Sequence, residues 1–197
     1  MENGRIGEVS RETNETCVNI SLNLDGEGKG KINTGAPFFD HMLELFARHG
    51  FFDLTVDARG DVEVDYHHLV EDTGLALGQA VRKALGDRAG ITRYGFFVLP
   101  MDETLVTVSL DLSNRPYLVY NAEPPVTFVR DFNVNLFKEF FQAFAMNAGI
   151  TLHMNCPYWE NLHHIVEALF KSFARSLDIA CSLDGRNSQV PSTKGKL

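Results

Sequence analysis

The chain has 197 residues, 44% hydrophobic and 22% charged, which allows one cored domain or two small ones and excludes a multidomain machine and a disordered scaffold. Only 18 Lys and Arg stand against 26 Asp and Glu, and the formal charge of −8 weighs against a sequence-indifferent nucleic-acid binder, which needs a cationic surface to release counterions. The polar, glutamate-bearing start (residues 1–14) resembles neither a signal core nor a transit peptide, and no apolar run approaches the ~20 residues of a membrane span, so a cytoplasmic protein without membrane contact is expected.

In chain order, residues 5–11, 17–24 and 30–32 read as strands. Residues 37–47 carry apolar side chains at helical spacing, and Gly50 is placed to be the left-handed residue that ends this helix. Residues 51–58 form the next strand, and a second helix begins near Asp65 and stops at Gly86. The plan then recurs: strands at 94–99, 104–112 and 117–121, a helix at 132–147 capped by Gly149, a strand at 150–155 and a long helix at 159–181. Gly50 and Gly149 lie 99 residues apart and His67 and His163 lie 96 apart, a difference that one surface loop absorbs. The expected fold is therefore α+β, a duplicated β-β-β-α-β-α unit with helices packed between two sheets. It forms one domain from a first repeat (1–90) and a second repeat with the C-terminal tail (91–197), sharing one core because no Pro/Gly/Ser-rich linker divides them. The polar tail, 187–197, is expected on the surface or over a site.

The strongest chemical signal also occurs twice, as His67-His68-Leu69-Val70-Glu71 and His163-His164-Ile165-Val166-Glu167. On a helix each Glu shares a face with both preceding histidines, while adjacent histidines diverge by ~100°, so one motif can feed two metal ions or one ion and a substrate. A single histidine pair at a helix start is ordinarily just a polar terminus; two copies at matching places in a repeat favour a dinuclear site. His41, on the first helix, and His153, in a strand, would extend the set, although a lone strand histidine is more often a satisfied core residue. His49, beside Gly50, is explained equally by helix C-terminal electrostatics. Imidazole and carboxylate without thiolate suit Mn²⁺, Fe²⁺ or Zn²⁺, with Mn²⁺ favoured in an open octahedral site. Cys17, Cys156 and Cys181 form no Cys-x-x-Cys pair and read as small buried hydrophobes in a reducing compartment. Arg93, Arg115 and the tail from Pro191 through Ser192 and Lys194 to Lys196 lie outside the apolar periodicity, and Lys171 follows Glu167 by one helical turn. Singly each is ordinarily a solvated charge, but together they form a second, cationic set suited to a small phosphorylated substrate. No Gly-rich phosphate loop accompanies them.

These residues sit in longer motifs: Phe39-Asp40-His41-Met42-Leu43, His49-Gly50, Asp65 through Asp72, Gly74 through Ala80, Pro100-Met101-Asp102-Glu103, Asn147 through His153, His163 through Ala168, and Pro191-Ser192-Thr193-Lys194-Gly195. Together, in this order and over nearly the whole chain, they resemble the imidazoleglycerol-phosphate dehydratase family of histidine biosynthesis. The resemblance implies a fold like ribosomal protein S5 domain 2 and a monofunctional enzyme, with two Mn²⁺ per active site. It also implies a homo-oligomer, a 24-mer built from trimers with active sites at subunit interfaces. Carried over residue by residue, it implies metal ligands at His41, His67, His68, Glu71, His153, His163, His164 and Glu167. Substrate contacts are implied at Glu15, His41, His49, Arg93, Arg115, Lys171, Ser192 and Lys194, and catalytic roles at Glu15, His68, Glu71, His164 and Glu167. Leu45 stands where many members carry glutamine, which removes one polar substrate contact.

The implied reaction removes water from D-erythro-imidazole-glycerol phosphate to give imidazole-acetol phosphate. No carbonyl acidifies the departing carbon-bound proton. Metals on the ring nitrogens would stabilise an imidazolate that expels the hydroxyl through a diazafulvene-like state. Glu15 is then the proton shuttle beside the glycerol. A metal-dependent phosphatase on the same scaffold and a non-catalytic metal-binding assembly protein are the alternatives.

Overall fold

A computed structural model describes residues 4–125 and 127–197. The first repeat contains β1 (Ile6–Glu12), β2 (Thr16–Asn23), β3 (Gly30–Asn33), α1 (Pro37–Gly50), β4 (Asp53–Gly60) and α2 (His67–Leu85). The second contains β5 (Tyr94–Met101), β6 (Thr104–Asp111), β7 (Tyr117–Asn121), a two-stranded excursion of β8 (Phe128–Val129) and β9 (Phe132–Asn133), α3 (Leu136–Ala148), β10 (Thr151–Tyr158) and α4 (Leu162–Cys181).

The sheets have matching orders, β1-β2-β4-β3 and β5-β6-β10-β7, each antiparallel except for the pairs β3/β4 and β7/β10. Period-two alternation sets the inner face: Val18, Ile20 and Leu22 of β2 and Val106, Val108 and Leu110 of β6 are buried. Helix α2 packs on β1 and β2, and α4 on β5 and β6. Across the repeats α1 packs on α4 and α2 on α3, so the helices lie between the sheets and the core is common to both halves. Its centre is aromatic: Phe173 lies 5.0–5.6 Å from the rings of Phe46, Phe141 and Phe144.

Two glycines set how closely helix and sheet approach. A Cβ on Gly7 would lie 1.9 Å from the Ala80 carbonyl oxygen, and one on Gly95 would lie 1.8 Å from that of Ser176. Ala80 and Ser176 are themselves 96 residues apart, so the duplication preserved the same backbone contact in both halves.

Three sequence expectations need correction. Gly50 is the last residue of α1, and Phe51, with φ 57°, takes the left-handed position; Gly50 is required because a Cβ there would meet the Phe52 ring at 2.3 Å. The helix expected from residue 132 starts at Leu136, because Phe132 pairs with Val129 and the Asn133 side chain accepts a hydrogen bond from the Asn135 amide, a local competitor of helix geometry. Of the three free cysteines only Cys181 is buried; Cys17 is exposed because it points to the outer face of β2.

Candidate metal and phosphate site

The paired histidines lie in the first turns of α2 and α4, each pair two residues after a side-chain acceptor that precedes the N-cap in α2 and is the N-cap in α4. Asp65 Oδ1 accepts from the His67 amide at 2.7 Å, and Asn161 Oδ1 accepts from the His163 amide at 2.8 Å. Each acceptor precedes a helix in which His-His-x-x-Glu lies within the first two turns.

The tightest cluster joins α1 to α4. His41 Nε2 and His163 Nε2 lie 2.7 and 3.0 Å from the same oxygen of buried Glu167, and Lys171 Nζ donates to the other oxygen at 2.5 Å. Burial alone would raise the Glu167 pKa, but the bonds to Lys171, His41 and His163 outweigh it and lower it to about 2. The carboxylate is thus ionised and aimed between two imidazoles, a donor set suited to a divalent cation. Lys171, expected at the phosphate, is committed here.

A second group surrounds the start of α2. His67 Nε2 is 3.7 Å from Glu71, and His68 Nδ1 faces Asp61 at 3.0 Å and Glu15 at 3.9 Å. At the start of α4, His164 Nδ1 lies 3.0 Å from Glu103, beside Asp102. The Glu103 pKa is lowered to about 2, chiefly by His164 and then by backbone amides that include Asn161. In both pairs the carboxylate engages Nδ1 and leaves Nε2 for a ligand, the usual arrangement behind a metal-bound histidine.

His153 stands apart. It lies on the exposed face of β10 between buried Leu152 and Met154, and is in neither group of potential metal ligands found among the described residues. His49 is half-buried near the end of α1, its pKa lowered first by burial and then by Lys171 and Arg175. Leu45 packs against the core.

The cationic residues form a cleft of about 820 Å³ in which the tail folds back over the β5 end, and Arg93, Arg115, Ser192 and Lys194 all line it. Arg93 has a left-handed backbone (φ 75°), and its guanidinium is held by three hydrogen bonds. Nε and Nη2 donate to Asp111 at 2.7 and 3.1 Å, and Nη1 donates to the Pro191 carbonyl at 2.7 Å. With five N–H donors, two remain for a phosphate. Nothing in the sequence pattern marks Asp61 or Asp111; Glu103 stands in the Pro100-Met101-Asp102-Glu103 motif, and its position 88 residues after Glu15 in the repeat is the signal that points to it.

Fold and site together define a class: a two-repeat α+β protein with histidine–carboxylate clusters at matched helix starts, able to hold metal, and a separate anion cleft. The imidazoleglycerol-phosphate dehydratase family profile matches residues 34–177. Proteins of that name from Trichlorobacter lovleyi and Geobacter sulfurreducens are 56% and 54% identical over 193 residues, covering 98% of this chain and 99% of each relative. Crystal structures of imidazoleglycerol-phosphate dehydratases are also similar. The Staphylococcus aureus structure has a TM-score of 0.83 at 39% identity, covering 91% of this chain and 99% of that one. The Pyrococcus furiosus structure, in complex with (S)-C348, has a TM-score of 0.81 at 38% identity, covering 96% and 100%.

The chain belongs to the imidazoleglycerol-phosphate dehydratase family. It is a hydro-lyase with the dehydratase role in histidine biosynthesis. Among the described residues no helix is long and apolar enough to cross a membrane.

Proposed function

We propose that the chain dehydrates D-erythro-imidazole-glycerol phosphate to imidazole-acetol phosphate with two Mn²⁺ ions per site, in a homo-oligomer whose active sites lie at subunit boundaries. The observation that carries this reading is the division of the ligand set: His41, His163 and Glu167 converge, while His67, His68 and Glu71, His164, and His153 present donors elsewhere on the same chain. One copy leaves these groups apart, so a second copy is needed to complete a dinuclear site. The 24-mer built from trimers remains the assembly this reading favours.

The donor set suits the group. Every ligand is imidazole or carboxylate, and the half-buried thiol of Cys156, three residues after His153 in sequence, has its pKa raised to about 11 by partial desolvation, which keeps it from competing as thiolate. Bound divalent ions supply Lewis acidity, holding the substrate imidazole and stabilising negative charge on the ring.

The chain's own residues do the rest. Arg93 offers its two spare donors to the phosphate, joined by Arg115, Lys194 and the Ser192 hydroxyl. Lys171 holds Glu167 ionised and fixed for its imidazole partners. His49, near the end of α1, is held toward the neutral imidazole by burial and by Lys171 and Arg175, and Leu45 packs against the core where a polar residue would offer a substrate contact. The hydroxyl departs as water with the ring N–H proton. Glu15, on the β1–β2 turn with its side chain 56% exposed, takes the carbon-bound proton and delivers it to the carbon that lost the hydroxyl, while the enol O–H proton returns to the ring nitrogen as the ketone forms.

Chelation is expected to abolish turnover and added Mn²⁺ to restore it, with ketone rather than inorganic phosphate as product. Full activity in metal-free protein would overturn the metal reading, and phosphate release would favour a phosphatase.

A further inference from the structure

The two repeats treat one pair of equivalent glutamates differently. Gly7 and Gly95, Glu15 and Glu103, and Thr16 and Thr104 are each 88 residues apart, and β1-β2 and β5-β6 occupy the same places in their sheets. Glu15 and Glu103 therefore stand on equivalent hairpin turns. Each faces the Nδ1 atom of an equivalent histidine, since His68 and His164 are 96 residues apart like the helices that carry them.

The distances differ. Glu103 straddles His164 Nδ1 at 3.0 and 3.2 Å, and it also accepts from the Asn161 amide at 2.9 Å and the Thr104 hydroxyl at 3.0 Å. Glu15 stays 3.9 Å from His68, whose Nδ1 is straddled instead by Asp61 at 3.0 and 3.1 Å. The side chains of Asp61 and Glu103 are 23% and 24% exposed, whereas that of Glu15 is 56% exposed.

We propose that Asp61 and Glu103 are positioning residues that hold His68 and His164 as Nδ1–H tautomers, and that Asp61 releases Glu15 from the task its counterpart Glu103 performs. The duplicated fold supplied each histidine with a glutamate on the neighbouring turn. A carboxylate that accepts an imidazole N–H is tied in place and cannot shuttle a proton at the substrate. In the second repeat that tie is kept. In the first, a carboxylate just after β4 takes it over, leaving the turn glutamate free and exposed. Both imidazoles then present Nε2 lone pairs outward, as metal binding requires. The consequence for metal affinity and catalysis rests on the di-metal reading above; the tautomer assignment does not.

The test is ¹⁵N–¹H correlation spectroscopy of histidine-labelled, chelated full-length protein at a pH where imidazoles are neutral, about 8. His68 and His164 are expected as Nδ1–H tautomers in wild type and in Glu15→Gln. Adding Asp61→Ala to Glu15→Gln, so that neither carboxylate remains, is expected to give a tautomer mixture at His68 alone; Glu103→Ala is expected to do so at His164. Mn²⁺ affinity, followed by electron paramagnetic resonance, should fall about 10- to 100-fold in both cases. Glu103→Gln keeps an acceptor for Asn161 and should lower affinity likewise if Glu103→Ala does not fold. Retention of the His68 tautomer without Asp61, or its loss in Glu15→Gln alone, would overturn the proposal. Wild type that shows the expected tautomers but binds no Mn²⁺ would leave the positioning intact and overturn the metal reading instead.

Discussion

Replacing Arg93 by lysine keeps the charge at the phosphate cleft and removes the planar fork, which separates the two jobs this side chain performs. In the native structure three of its donors are engaged, two with Asp111 and one with the Pro191 carbonyl, and its side chain is only 12% exposed. A lysine ammonium has no fork with which to grip Asp111 bidentately while also reaching Pro191. Loss of the Pro191 bond alone, at about 1.5–3 kcal/mol for a charge-assisted hydrogen bond, corresponds to a roughly 10- to 150-fold shift toward an undocked tail. The tail carries Ser192 and Lys194 into the cleft, so KM for the phosphorylated substrate should rise by a similar factor while kcat changes little, the signature of lost uniform binding. Hydrogen exchange should report the cause at the amides of Ser192 and Gly195, which are bonded within the tail to Val190 and Ser192 carbonyls. Unchanged KM together with unchanged exchange in the tail would refute both the strap and the phosphate assignment.

Gly95→Ala places a Cβ against the Ser176 backbone, with the carbonyl oxygen at 1.8 Å, and should cost about 1–3 kcal/mol or more, lowering Tm by roughly 2–4 °C per kcal/mol. Gly185→Ala, with nothing within 4 Å, serves as the control; equal melting of the two variants would disprove the close-packing argument. In chelated protein Glu167 should stabilise the fold above its ordinary pKa near 4.5, and this contribution should disappear as pH falls from 4.5 toward the folded value of about 2. Urea midpoints of wild type and Glu167→Gln should accordingly converge over that range, and a gap that stays constant with pH would contradict the depressed pKa.

Much of the architecture was legible before folding because it depends on short-range pattern. The alternation in residues 16–23 and 104–111 and the 3.6-residue spacing of 67–85 and 162–181 locate strands and helices whatever they pack against. The reading failed where a local competitor or a packing partner decided. Asn133 and the Val129–Phe132 pairing delayed α3, and the Phe52 ring, rather than backbone conformation, accounts for Gly50.

The candidate site divides along the same line. Sequence alone singled out the candidate residues: two His-His-x-x-Glu helix starts in a duplicated chain, His41 on the preceding helix, and cations held apart from the apolar pattern. Those follow from residue type and periodicity within about two helical turns. Tertiary structure alone decided the partners: His41 brought onto Glu167, Arg93 tied by Asp111 to the tail, His153 on an outer sheet face, and Asp61 in the place that duplication had prepared for Glu15. Apart from the placement of His153, each is a contact between groups 7 to 126 residues apart, set by how the sheets, turns and helices close together. No local pattern encodes that choice, because it depends on distances that exist only after strands, turns and helices have packed on one core.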